Sequence, residues 1–174
     1  MVLMITLLEL RDEDVGLKSR TVGAWRERRA ARCVLRRGDK IALLHVQKLS
    51  YHKLPGGGID IGETSEEALH REVEEEIGSR IRIGEHLGHT VEYKSRLREH
   101  QTSTCFLATE SEEGEPSYTQ EEQMEGFRVE WYLLKEAIEL LKKEKPTDYQ
   151  GRFIVKRDLR FLQEAEKHGP FFDS

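Results

Sequence analysis

The sequence predicts an α/β sandwich, a sheet with helices on both faces. Apolar residues alternate at strand spacing in several short segments along the chain, and two or three others repeat them at helical spacing. The two kinds are mixed in order along the chain, which favours one layered α/β unit. At 174 residues the chain is long enough for a single domain, 1–174, with a full core.

The elements follow in order. Residues 2–10 form an apolar run bounded by Asp12-Glu13-Asp14, expected as a first strand. Residues 30–37 and 40–47 flank Gly38-Asp39, a hairpin turn. LPGGG, 54–58, is expected as a loop, because three glycines after a proline call for unusual backbone angles or close approach. Thr64 and Glu67 make a capping box that opens a helix, and Gly78 can close it. Residues 80–93 alternate as one or two strands, and 103–109 reads as a buried strand. Residues 110–123 are expected as an acidic surface loop. Phe127, Val129, Trp131 and Leu133 alternate as a strand, with Trp131 placed in the core. Leu134, Ala137, Ile138 and Leu141 recur at helical spacing, and a terminal helix runs from about Asp148 to Lys167.

Composition narrows the function classes. A net charge of −5 offers no general attraction to nucleic acid or anionic lipid. An acidic protein that handles phosphates needs a cation between itself and its substrate. Cys33 and Cys105 lie in apolar strand-like runs and read as buried thiols of a reducing cytosol, with no support for a disulfide. MVLMITLLEL is too short to span a membrane and lacks the features of a signal peptide, so the expected location is cytoplasmic.

The most informative stretch is HREVEEEIG, 70–78, with four glutamates in nine positions. Placed about 100° apart around the axis from Ala68, Glu75, Glu72 and Glu76 fall at about −20°, 40° and 80°. Leu69, Val73 and Ile77 occupy about 100° to 180°. Three carboxylates therefore share a stripe at the border of the buried face, where like charges are costly. A divalent cation would reverse the sign of that cost, and carboxylate oxygens suit Mg²⁺ or Mn²⁺.

Gly57, five residues, Glu63, seven residues, then Arg71-Glu72-Val73-Glu74-Glu75-Glu76-Ile77-Gly78 resembles the Nudix box in every fixed position. Ser79 departs from it, standing where the family has a bulky aliphatic residue. The resemblance covers 57–79 and implies an α/β/α sandwich, a mixed β-sheet flanked by helices. It also implies hydrolysis of a nucleoside diphosphate linked to another moiety by metal-activated water. By position it makes Glu72, Glu75 and Glu76 ligands of Mg²⁺ or Mn²⁺, with a backbone carbonyl at Gly56 or Gly57 as a further ligand. Arg71 would orient a box glutamate, and Glu63 would tie loop to helix or act in catalysis. The general base would be a box glutamate, Glu76 or Glu75, or an acid from a later segment, among Glu121, Glu122 and Glu125, with Glu122 chosen.

Lys53, Gly57 and Gly58 are expected at the substrate, and Tyr51 and His52 are candidates for touching base, sugar or phosphate. His86, His89 and His100 show no ligand spacing, and Lys94–Arg98 could meet extra phosphates or form a solvated hairpin tip. The expected substrate is a small-molecule nucleotide, a nucleoside triphosphate or a nucleotide sugar. ADP-ribose is the alternative, although the proline that marks many such hydrolases is absent near Ser95. A nucleotide-sensing domain without turnover is a further reading, and an acidic scaffold a third. Relatives often dimerise, and a homodimer is compatible with the sequence.

Overall fold

The computed structural model describes residues 4–172, and Val2 and Leu3 of the expected first strand lie outside them. The chain forms β1 (Thr6–Arg11), β2 (Arg26–Arg37), β3 (Lys40–Val46), β4 (Tyr51–Lys53), β5 (Gly56–Gly58), α1 (Ser65–Ile77), β6 (Arg80–Lys94) and β7 (Glu99–Glu112). It continues with α2 (Gln120–Glu125), β8 (Phe127–Leu133), α3 (Leu134–Lys143), α4 (Tyr149–Glu166) and the short α5 (Gly169–Phe172). The strands make one mixed sheet in the order β1-β6-β7-β2-β3-β4, with β5 pairing β2 and β8 pairing β3. β2 runs parallel to β7 along most of its length. Its hairpin with β3 pairs only at Arg36–Ile41 and Arg37–Lys40 before the two strands diverge.

Alternation along the central strands divides the core. Ala31, Cys33 and Leu35 meet Ala68, Leu69, Val73 and Ile77 of α1, whereas Val34 faces Ile138 and Leu141 of α3 and Phe161 and Leu162 of α4. Full burial of each such Leu, Val or Ile contributes roughly 1.5–3 kcal/mol. Cys33 belongs to the α1 side and Cys105 to the α3–α4 side, so both thiols are buried and free. Burial pushes both thiols well above the usual range.

Several expectations need correction. The glycines of LPGGG are not a free loop, for Gly56–Gly58 pairs with Ala30–Arg32 as β5. They are required all the same, because Gly56 has φ 130° and a Cβ there would run into the Ala31 carbonyl. The acidic segment after residue 110 is partly ordered, since β7 continues to Glu112 and α2 begins at Gln120. Lys94 is no phosphate-facing tip residue. It is buried beside Glu92, Glu99 and Gln101, with Nζ 2.9 Å from the Gln101 amide oxygen.

Candidate functional site

α1 starts as its sequence requires. Thr64 accepts from the Glu67 N–H, the Glu67 carboxylate accepts from the Thr64 N–H, and Gly78 ends the helix in the left-handed region at φ 83°. Ser79 is buried and donates to Glu110 at 2.5 Å, and Arg37 grips the same carboxylate. The departure at 79 thus anchors the helix exit to β7 through a polar bond in place of apolar packing.

The helix lies against β5, and the contacts there are specific. Glu76 is only 2% exposed; its carboxylate accepts from the Gly56 N–H at 2.9 Å and stands 3.8 Å from Lys53 Nζ. Burial pushes this carboxyl up to about 7, against the opposing pull of Lys53 and the Gly56 N–H. Lys53 is itself held below the usual lysine range by burial, and its ammonium lies 4.4 Å from the Phe127 ring centre. The Glu72 carboxylate occupies the space where a Cβ at residue 57 would stand, so only glycine fits there.

Arg71 joins the rest. Its guanidinium donates to both oxygens of Glu63 at 2.9 Å, to Glu72 at 2.7 Å and to the Gly58 carbonyl at 3.0 Å. Glu63 also accepts from the Asp60 N–H at 2.9 Å. The Arg71 hydrogen bond, with that backbone N–H, holds the Glu63 carboxyl down at about 2. The pair therefore laces the loop onto the helix, and Arg71 leans on Glu63 and Glu72, keeping 3.9 Å from Glu75.

Glu75 is more exposed. Burial and the Glu72 charge raise its carboxyl, and the Glu122 charge adds to the effect. Glu122 itself sits in the first turn of α2, where it accepts from the Thr119 N–H at 2.8 Å. Glu121 and Glu125 share that helix, Glu121 exposed and Glu125 half-buried. Each of the three box carboxylates has its own contact: Glu76 accepts from the Gly56 N–H, Glu72 accepts from Arg71 beside Gly57, and Glu75 stands 3.9 Å from Arg71.

These residues fit a hard divalent cation. The donors are all carboxylate oxygens, Glu72 raises the carboxyls of both Glu75 and Glu76, and residue 57 lacks the side chain that would block the Glu72 carboxylate.

Other expected residues lie elsewhere. Tyr51 is buried in the core, and His52 faces away from α1 toward Glu130 and Glu144. His89 meets Thr6, His100 meets Glu27, and His86 packs on Phe106 and feels the charge of Glu66 at the start of α1. Trp131 is half-buried, with the Arg37 guanidinium 4.0 Å from its ring centre. It lines a cavity of about 330 Å³ with Arg37, Ile77, Tyr118, Phe127 and Arg128. Ile77, at the end of α1, is on its wall, and so is Phe127, whose ring the Lys53 ammonium approaches.

Sequence reasoning missed the supports of the glycine segment. Arg32 on β2 donates to the Gly56 carbonyl from a buried position. Asp158 on α4 accepts from the Leu54 N–H at 2.8 Å and is itself paired with Arg157. An arginine between Ala31 and Cys33 in an apolar strand was the one visible signal; Asp158 looked like any polar helix residue.

A family model described as NUDIX domain matches residues 26–152. No curated protein matches the chain. Similar solved structures include a NUDIX hydrolase from Nitrosomonas europaea at 16% identity and TM-score 0.60, covering 82% of this chain and 90% of that one. A MutT protein from Methanosarcina mazei matches at 19% identity and TM-score 0.58, covering 84% and 99%. An ADP-ribose pyrophosphatase from Streptococcus suis matches at 18% identity and TM-score 0.52, covering 79% and 91%. At these identities the likeness is one of fold.

Proposed function

The chain belongs to the Nudix hydrolase family, and on that premise we propose that it cleaves the phosphoanhydride bond of a nucleoside triphosphate or a nucleotide sugar. One observation carries the reading. A glutamate on the edge of an otherwise apolar helix face is buried against a glycine backbone, beside a second carboxylate that fills the place of a missing side chain. Burying a carboxylate in this way is costly unless a cation and hydrogen bonds offset it, and a bound divalent ion would do so.

Glu72, Glu75 and Glu76, with the Gly57 carbonyl, would hold Mg²⁺ or Mn²⁺. The ion would supply charge neutralisation at the diphosphate and acidify the attacking water. Arg71 fixes the direction of the Glu72 carboxylate, and Glu63 fixes Arg71. Lys53 offsets the charge of Glu76 and would meet an incoming phosphate at Gly57 and Gly58. Glu76, Glu75 and Glu122 are the candidates for accepting a proton from the attacking water. Tyr118, Phe127 and Trp131 give a nucleobase aromatic surfaces within reach of α1, and Arg37 and Arg128 border the same cavity.

The test is product release from a panel of nucleoside triphosphates, nucleotide sugars and ADP-ribose, with Mg²⁺ and with chelator. Turnover of a triphosphate or nucleotide sugar only with the ion supports the proposal. Turnover of ADP-ribose alone would correct the substrate. Tight nucleotide binding without turnover would replace the enzyme with a sensor.

A further inference from the structure

On the opposite side of the sheet from α1, three strands bring together a second set of ligand-type side chains. β3 pairs with β4 so that His45 lies opposite His52, and with β8 so that Leu43 lies opposite Glu130. His45 shares its side of β3 with Ile41 and Leu43, which pack toward α3 and α4. Lys53, one residue after His52, faces the other way to Glu76.

The two imidazoles stack at 4.2 Å, and each presents one nitrogen to the same carboxylate. His45 Nδ1 is 3.0 Å from Glu130 Oε1, and His52 Nε2 is 2.9 Å from Glu130 Oε2. Ligand atoms from the three residues lie within 4.8 Å of one another, a grouping that no other three such residues form among the described residues. Around a tetrahedral Zn²⁺ with the usual bond lengths, ligand atoms are about 3.3 Å apart. Small side-chain movements would therefore close the set on an ion.

The surroundings are built for it. Glu144, just past the end of α3, takes the other ring nitrogen of His52 and also accepts from the His52 backbone N–H at 2.9 Å. That fixes the His52 ring with Nε2 turned to Glu130, the carboxylate–histidine arrangement that supports bound metals. The Tyr132 hydroxyl donates to Glu130 and orients it in the same way. His52 is buried, while His45 and Glu130 keep about a quarter of their side-chain surface exposed, leaving a way in from solvent.

We propose that His45, His52 and Glu130 form a second metal site, selective for Zn²⁺ over Mg²⁺ and separate from the carboxylates of α1. Two imidazoles and one carboxylate are a borderline donor set that suits zinc with one position left for water, and imidazole is a poor ligand for Mg²⁺. In the metal-free chain, shared protons occupy the nitrogen-to-carboxylate contacts, and the ion displaces them. The bound ion ties β3, β4 and β8 together directly before the Lys53–Gly58 segment, and Glu144 joins α3 to them.

The full chain, stripped with chelator and returned to excess Mg²⁺, is titrated calorimetrically with Zn²⁺. Co²⁺ is added in parallel and followed by its visible absorption. The expected result is one zinc equivalent per chain and the strong absorption of four-coordinate cobalt, both retained when Glu72→Gln and Glu76→Gln are combined. His45→Gln, at a partly exposed position, abolishes both signals, and Glu144→Gln weakens zinc binding by about 10–100-fold. No zinc binding above the Mg²⁺ background overturns the proposal. So does binding that survives His45→Gln, or that disappears when the two α1 glutamates are changed.

Discussion

The carboxylate of Glu72 occupies the space that a side chain at Gly57 would need. The glycine and the glutamate, fifteen positions apart in sequence, are thus one fitted unit: a gap in the backbone surface and the charge that fills it. Gly57→Ala therefore has to push Glu72 off its Arg71-held position. The expected result is a fall in turnover of at least tenfold and a rise in the Mg²⁺ concentration needed for half activity. The fold should lose only about 1–3 kcal/mol, as for other overpacked sites. An alanine variant with an unchanged Mg²⁺ curve would show that the Glu72 position is irrelevant to the ion.

Glu76→Gln keeps the shape and the acceptor for the Gly56 N–H but removes the charge beside Lys53. Turnover is expected to drop by about two powers of ten or more, with the circular dichroism spectrum unchanged. Near-normal rates would take Glu76 out of the machinery.

Arg71 uses its fork on two carboxylates and a carbonyl, which lysine cannot reproduce. Arg71→Lys should lower kcat by about tenfold or more while leaving nucleotide KM close to the parent value, because Glu72 is misdirected and the nucleotide cavity is untouched. A change confined to KM would move Arg71 from carboxylate positioning to substrate binding. The same contact has a pH signature. The folded Glu63 carboxyl is depressed to about 2, so its contribution is complete above the ordinary carboxylate range and is lost as the pH falls through that value. Melting curves taken from pH 5 to pH 2 should show a component of acid destabilisation that is missing in Glu63→Gln.

Asp158 accepts from the Leu54 N–H and neutralises Arg157 in a fully buried setting. Asp158→Ala leaves buried Arg157 with Glu92 as its remaining carboxylate partner and leaves the Leu54 backbone donor unmet. Chemical denaturation should report a loss of about 3–5 kcal/mol. A loss under about 1 kcal/mol would mean that Asp158 contributes little to holding the segment that leads into the glycines.

For His52, burial lowers the imidazole pKa, but the hydrogen bonds to Glu144 and Glu130 outweigh it and hold the ring above its ordinary range. A raised folded value means that the stabilisation is present in full below the unfolded pKa of about 6.5 and disappears as the pH rises through the folded one. In chelator, the melting temperature should therefore fall on the alkaline side of neutrality, and His52→Gln should flatten that slope. An identical slope in the variant would assign it to other groups.

The arrangement of α1 was legible in the chain because its causes are local. Thr64, Glu67 and Gly78 act within one or two turns of each other, and the angles of Glu72, Glu75 and Glu76 follow from helical repeat alone. The Nudix spacing from Gly57 to Gly78 is likewise a property of the order of residues. The strands at 30–37, 40–47 and 127–133 were visible through their alternation, which depends on each segment's own neighbours.

What depended on pairing across long distances was not legible. That Gly56–Gly58 adds to β2 as a strand, that Lys94 is buried, and that His52 turns from the glycine segment toward Glu130 and Glu144 are outcomes of strand register and helix docking. The chain by itself determined which carboxylates share a helix edge, because 3.6 residues per turn is set by the backbone. Only the tertiary structure decided which of them is buried, which is held by Arg71, and what lies on the reverse side of the sheet. Burial and charge pairing are made by segments far apart in sequence, and no local repeat encodes where those segments meet.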